Sequence, residues 1–480
     1  MSKPFPTDEP FLRGYYAPLL AECDAANLPI SGELPRDLCG TLYRNGPNPQ
    51  FAPRGPYHWF AGDGMLHAFH LENGRAAYRN RWVRTPKWAL EHAEGEGLSG
   101  VFGSPRYSDP RIVALASTTA NTNVVWHGGR LLALEEAHAP FEVDAATLAP
   151  KGTHTFDGKL SGPMTAHPKV DPVTGEMIFF GYAARGRFGA DMMLHVADKD
   201  GRLVRSEHFV APYPSMVHDF VVTQRHVIFP IFPLTGSMER AMKGLPPYAW
   251  EPDKGTHIGI LPRGGSVADL RWFEGDPCYV FHPMNAFDDA ADGSVVCDMA
   301  KYEVAPLFPR PDGSPTGERA PAARLVRWRF DMKPGASAGY REQALDDSAA
   351  EFPRLDERFA TLPYRHGYLN TMNVSVTQRA SDDHWGLSHI DLATGSKRSW
   401  NPPQGDACGE AVFVPRSANA PEGEGWLLSV IWRALENRSD LAVFDATDIA
   451  AGPVALVHLS HRVPAGFHGN WLPGGRLDVL

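Results

Sequence analysis

Histidine is the residue type in this chain with the most chemistry to offer. Of 20 histidines, four share a setting: His167 in TAHPKVDP, His218 in MVHDF, His282 in VFHPMNAFDD and His468 in GFHGNW. Each lies beside a Gly, Pro or Asp at the end of a strand-like run, where an imidazole can turn toward a central axis. They are widely separated and no two form a local HxxxH clip, so only a closed fold brings them together. Four neutral imidazoles suit a borderline first-row metal such as Fe(II), Cu, Ni or Zn. A redox-active iron with vacant positions would bind O2. Any one histidine reads as a solvated or core residue; the shared setting singles these four out.

The elements that must position them are strands. The 480 residues include 46 Gly and 43 Pro, nearly a fifth of the total where about 12% is usual, so the fold turns often. RLLAL (130–134), EMIFFGYA (176–183), HVIFPIF (226–232), THIGIL (256–261), GSVVCDMA (293–300), RLVRWRFDM (324–332) and LAVFDA (441–446) are strand-sized and rich in β-branched or aromatic residues. Hairpin signals separate them: LENGR, DPVTGE, DKDGR, DLATGS and FDATDIAAGP. Helical periodicity is confined to SMERAMKGL (237–245) and YREQALDDSAAEF (340–352). One open sheet cannot hold so many strands, and radial closure into an all-β propeller is the natural solution. Seven blades of roughly 40 to 45 residues would leave a surplus for long loops over one face, although no crisp repeat gives the count. No linker or charge run divides the sequence, so residues 1–480 read as one domain.

Charge and composition exclude other classes. With 46 Lys+Arg against 56 Asp+Glu the formal net charge is −10, which argues against a nucleic-acid partner. No apolar run approaches the roughly 18 residues of a membrane span, and MSKPFPTDEPF lacks the regions of a signal peptide, so a soluble, cytoplasmic protein is expected. The apolar YYAPLLAEC (15–23) is a candidate for peripheral membrane contact or for packing at the rim. Cys23, Cys39, Cys278, Cys297 and Cys408 are scattered, without a CxxC pair, and read as reduced thiols.

The sequence resembles the carotenoid cleavage oxygenases, a family that includes stilbene-cleaving and phenylpropene-cleaving enzymes. The resemblance runs from GELPRDLCGTLYRNGPNPQF (32–51) and HWFAGDGMLHAFHLENG (58–74) to SDLAVFDA (439–446) and AGFHGNW (465–471), with all four histidine motifs in order. It implies a seven-bladed β-propeller with loops and short helices capping the active-site face, and one non-haem Fe(2+) per molecule held by His167, His218, His282 and His468. The implied partners are O2 and a lipophilic alkene, in a monomer or weak homo-oligomer, and the implied reaction places both atoms of O2 across a conjugated C=C bond. The family fixes three of its histidines with glutamates, and Glu136 in LALEEAHAPF, Glu351 in AAEFPRLD and Glu410 in CGEAVFVPR stand where its motifs place them. A carboxylate on the far nitrogen of a metal-bound imidazole sets tautomer and ring angle. Thr122 in TANTNVV matches the position that crowds the iron's remaining site. Phe102, Phe281 and Phe467 flank the motifs and are candidates for the substrate cavity.

Substrate choice turns on Glu135. In the family's 4-hydroxystilbene branch the residue before the first outer glutamate is a lysine, and a tyrosine after an LFG-type segment helps it grip the phenolic oxygen. Here the first position is Glu135, and in VFGSPRYSDP the tyrosine, Tyr107, falls several residues late. On strand alternation Glu135 points into the cavity, where a carboxylate would repel a phenolate. The expectation is therefore an apocarotenoid or similar polyene, with an aryl alkene (stilbenoid, lignostilbene or phenylpropene) as the alternative. Two rivals remain. GASAG (335–339) and HGGR (127–130) faintly match a serine esterase, but Lys333 and Pro334 break the strand that a nucleophile elbow needs, and a hairpin loop fits better. A non-catalytic propeller would have no use for four such histidines and three carboxylates.

Overall fold

The computed structural model describes residues 3–115, 117–317, 321–375 and 385–479. It divides into two compact units, one formed by Met1–Leu160, Trp400–Ala420 and Glu424–Leu480, the other by Ser161–Ser399 with Pro421–Gly423. Among the described residues there are seven antiparallel sheets of four or five strands and one two-stranded ribbon.

The first unit holds three of the sheets. In one, Cys23–Ala25, Arg75–Trp82, Gly64–Glu72, Gly40–Pro47 and Gly469–Pro473 are neighbours in that order; in another, Ile30–Gly32, Pro453–His458, Arg438–Asp445, Gly425–Arg433 and Ala407–Pro415. A strand from the C-terminal end thus completes an N-terminal sheet, and an N-terminal strand completes the C-terminal one. The third is the meander Asn123–His127, Arg130–Leu134, Phe141–Val143 and Pro150–Thr153. Leu42, Phe69, Tyr78, Leu428, Val443 and Val457 form a continuous core through the first two sheets, each of these large residues contributing roughly 1.5–3 kcal/mol.

The second unit holds four meanders, which begin at Lys169–Val170, Val221–Val222, Tyr279–Asp288 and Ser348–Leu355. Its hairpins tighten where Gly or Asx residues allow, as at Gly175 and Gly201, both with positive φ.

Most of the expected strands form, and SMERAMKGL gives the helix Met238–Lys243, capped by the Ser237 side chain and ended by left-handed Gly244. The helix expected over 340–352 does not. It is replaced by Arg341–Asp346 and Ser348–Leu355, strands of two different sheets, because cross-strand pairing outweighs the helix preference of its Ala, Glu and Gln residues. GASAG joins Arg324–Phe330 to Arg341–Asp346, which pair as a hairpin. HGGR is the tight turn between Asn123–His127 and Arg130–Leu134, with Gly128 and Gly129 at φ 55° and 78°. Neither stands at a strand-to-helix elbow, so the esterase reading falls. Among the described residues no helix is long and apolar enough to cross a membrane.

Candidate metal centre

Three of the four histidines belong to the second unit. His167 and His218 stand in the short approaches to Lys169–Val170 and Val221–Val222, and His282 lies within Tyr279–Asp288, inside the break in register between Val280 and Pro283. Their Nε2 atoms converge: His167 to His218 is 3.0 Å and His218 to His282 is 3.3 Å. His282 Nδ1 lies 2.6 Å from Glu351 Oε2, and since a carboxylate only accepts, Nδ1 carries the proton and Nε2 an exposed lone pair. Burial alone would raise the Glu351 carboxyl, but donors from His282, the Phe352 N–H and the Tyr302 hydroxyl hold it below its ordinary value.

His468 immediately precedes Gly469–Pro473 in the first unit, and its Nδ1–H donates to Glu410 Oε1 at 2.8 Å while the Gly469 N–H donates to Glu410 Oε2 at 2.8 Å. Its backbone is fixed on both sides: the His468 N–H donates to the Thr122 carbonyl (3.2 Å), and the Asn45 N–H donates to the His468 carbonyl (2.8 Å). One ring nitrogen from each of His167, His218, His282 and His468 lies within 4.8 Å of the others; His167, His218 and His468 are buried, and the His282 side chain is 11% exposed. Lone pairs turned toward one another repel in a buried space, and a cation among them relieves that repulsion. The donor set is all-nitrogen and neutral, with carboxylates on the outer side, which suits a divalent first-row metal.

Thr122 is buried, and its hydroxyl donates to Asn121 Oδ1. Asn121 in turn donates to the carbonyls of Phe60 and Gly62, tying the Trp59–Ala61 turn to the segment beside His468. That turn carries an aromatic cluster: Trp59 lies 4.4 Å and Phe60 5.6 Å from Phe467, and Phe102 lies 5.9 Å from Phe60 and stacks on His58 at 4.7 Å. Phe281 packs edge-on against His218 at 5.1 Å and against Tyr279 at 4.8 Å. Tyr15, in the apolar 15–23 segment, stacks on Trp432 at 5.1 Å.

Glu136 is buried just beyond Arg130–Leu134. Glu135 folds back on its own surroundings, accepting from Thr118 Oγ1 (3.0 Å), the Ala137 N–H (2.7 Å) and His138 Nδ1 (2.8 Å). Burial would raise its carboxyl, and these donors more than reverse that. Two charged residues beside the histidines escaped sequence reasoning. Asp219 follows His218, with Oδ2 3.5 Å from His167 Nδ1, and Lys169 reaches Asp219 Oδ1 at 2.7 Å. Burial raises the Asp219 carboxyl against the pull of Lys169. Their signal was a charged residue within two positions of a candidate ligand. Asn45 and Asn121, in RNGPN and ANTN, carried a weaker one.

Residues 16–473 match the family described as retinal pigment epithelial membrane protein. An isoeugenol monooxygenase of Pseudomonas putida is 37% identical over 475 residues, spanning 97% of this chain and 98% of its own. The crystal structure of Pseudomonas brassicacearum lignostilbene dioxygenase superposes with a TM-score of 0.92 at 36% identity, covering 98% of this chain and all of that one. A cobalt-substituted apocarotenoid oxygenase of Synechocystis gives 0.83 at 28% identity, covering 95% of this chain and 97% of its own. The chain belongs to the carotenoid cleavage oxygenase family. Its seven sheets are the blades of a seven-bladed β-propeller, and it is a C=C-cleaving non-haem iron oxygenase with a four-histidine site.

Proposed function

We propose that this family member cleaves the C=C bond conjugated to the ring of an aryl alkene, a phenylpropene such as isoeugenol or a lignostilbene, rather than a polyene. The whole protein acts as one catalytic domain, and one Fe(2+) per molecule is held by His167, His218, His282 and His468. Ferrous iron, when bound, supplies the centre at which O2 is taken up and made reactive toward an electron-rich alkene. Glu351 and Glu410 keep the Nδ1 protons of His282 and His468 in place, so that each ring presents Nε2 inward, and Glu136 is the third outer carboxylate. Thr122 restricts the space left beside the metal. Trp59, Phe60, Phe102 and Phe467 form the aromatic wall that excludes water and orients a planar substrate ring next to His468, while Phe281 backs His218. In balance, one C=C bond is broken, one O atom of O2 goes to each carbon, and two carbonyl compounds leave with no external reductant.

The observation that carries the aryl-alkene reading is the match, at 36–37% identity over nearly the full length, to proteins named for isoeugenol and lignostilbene. The polyene expectation rested on Glu135 as an anion repelling a phenolate. Its carboxylate instead accepts from Thr118, Ala137 and His138, so that repulsion is blunted.

The test is aerobic incubation of iron-loaded protein with isoeugenol, a 4-hydroxystilbene and an apocarotenal, with products identified by mass spectrometry under 18O2. The expected result is the two aldehydes from an aryl alkene, each carrying one labelled oxygen before exchange. Turnover of the apocarotenal alone would overturn the reading.

A further inference from the structure

We infer that Asp219, braced by Lys169, is a fourth outer carboxylate of the metal site and the residue that positions His167. The inference rests on the iron reading above and concerns two residues that reading does not use.

Glu351 and Glu410 serve His282 and His468, and neither serves His167. The carboxylate at His167 Nδ1 is Asp219, with Oδ2 at 3.5 Å. Its other oxygen accepts from Lys169 Nζ at 2.7 Å and from the Phe220 N–H at 2.6 Å. Asp219 is 5% exposed, and a buried carboxylate is retained only with such partners. The sequence positions make the arrangement a cross-brace. Asp219 follows His218, and Lys169 stands two residues after His167, so the ion pair joins the backbones that carry two ligands whose Nε2 atoms lie 3.0 Å apart. Lys169 also lies over the Phe220 ring at 5.8 Å, which limits where its ammonium can go.

A fourth glutamate would add another negative charge to a site already carrying three outer carboxylates. The Asp219–Lys169 pair sums to zero and still places a carboxylate beside His167 Nδ1, at ion-pair distance. A buried pair of this kind is weak support for stability. Its better-founded effect is to aim a ring and hold the spacing between two ligands, and Asp219 is therefore a positioning residue that acts through His167.

The test uses Co(II) and Fe(II) as probes on the full-length protein, with affinity measured by chelator competition and the visible spectrum of the Co(II) protein reporting ligand geometry. Asp219→Asn is expected to weaken Co(II) and Fe(II) binding about tenfold and to change the Co(II) absorption. Lys169 is 26% exposed, so Lys169→Met is tolerated by the fold and covers the case in which Asp219→Asn does not fold. It removes the cation that braces Asp219, and metal binding should weaken, by less than in Asp219→Asn. Affinity within twofold of wild type with an unaltered Co(II) spectrum in Asp219→Asn would overturn the inference, as would unchanged or tighter binding in Lys169→Met. Wild-type protein that takes up neither metal would instead remove the iron reading on which the inference stands.

Discussion

The two carboxylates behind His282 and His468 respond differently to the same substitution. Glu351 Oε2 accepts from His282 Nδ1 (2.6 Å) and the Phe352 N–H (2.7 Å), while Oε1 accepts from the Tyr302 hydroxyl (2.8 Å). In Glu351→Gln the amide oxygen can keep the two N–H donors and the amide nitrogen can face Tyr302, whose hydroxyl rotates to accept. Geometry survives and charge is lost. A hydrogen bond to a charged acceptor is worth about 1.5–3 kcal/mol against about 0.5–1.5 for a neutral one, so the metal should be held roughly tenfold less tightly, at about 1.4 kcal/mol per decade. Glu410 has no such escape. Its oxygens accept from His468 Nδ1 and the Gly469 N–H, each at 2.8 Å, so whichever oxygen becomes an amide nitrogen, two donors face one another. That adds about 1–3 kcal/mol for an unsatisfied buried donor, and Glu410→Gln should lose about 100-fold or more. Anaerobic competition for Fe(II) against a calibrated chelator measures both, and thermal melts of the metal-free variants separate site loss from unfolding. Equal losses, or a smaller loss in Glu410→Gln, would refute the donor accounting, and no loss in either would leave both as structural carboxylates only.

Three further outcomes are expected. His282→Ala should abolish both iron binding and turnover, because three imidazoles without the Glu351-oriented one hold a labile ferrous ion poorly; full iron content by metal analysis would count against the ligand assignment. Glu135→Lys should shift relative kcat/KM toward a 4-hydroxystilbene over an apocarotenal by about 1–2 kcal/mol, one charge-assisted hydrogen bond, and lower Tm because Thr118, Ala137 and His138 lose their acceptor; an unchanged ratio would place the side chain away from substrate. Stability should fall in mild acid: burial lowers His195 to about 4, so its neutral-state stabilisation is complete above the unfolded value near 6.5 and is lost as pH drops from there toward 4, about 3 kcal/mol at 1.36 per unit. Urea titrations at pH 7.5 and 5 should show about 2 kcal/mol of that loss, reduced in His195→Gln, and an equal drop in both proteins would assign it elsewhere.

Much of the fold was legible because propeller strands advertise themselves. Met177–Tyr182 and His226–Ile231 are nearly unbroken β-branched and aromatic runs, and the Asn73–Gly74 pair in LENGR takes the positive φ its turn demands. The failure at 340–352 has a local cause. SAAE carries helix-favouring residues, and only pairing with His366–Ser375 makes it a strand, a partner that a window of a dozen residues does not contain. The four histidines were readable from their shared setting, and Glu351 and Glu410 from motif position. Glu135 lies just past the end of Arg130–Leu134, where strand alternation no longer constrains a side chain, and the bonds its carboxylate accepts from Thr118, Ala137 and His138 have no signature in the sequence. Asp219 and Lys169 went unread for a different reason. Their meaning lies in the pairing of two segments about 50 residues apart, and a charge within two positions of a candidate ligand is too common by itself to single them out.

The sites of chemistry coincide with faults in the ladders. His282 sits where register slips between Val280, Pro283 and Asn285; Glu351 sits at the slip between Glu351 and Arg354; Glu410 lies inside the slip between Cys408 and Ala411. A regular strand alternates its side chains and commits its N–H groups to neighbours. A bulge re-aims one side chain and releases a backbone donor. Both consequences are used at Glu351, where the N–H of Phe352, a residue at φ 48°, donates to the carboxylate while its ring stacks on His282 at 5.2 Å. A non-glycine residue in that conformation costs on the order of 1 kcal/mol, and the freed donor on a buried charge offsets it. At Glu351 the irregularity therefore both places the carboxylate against His282 and helps keep it ionised, which a straight strand would not do.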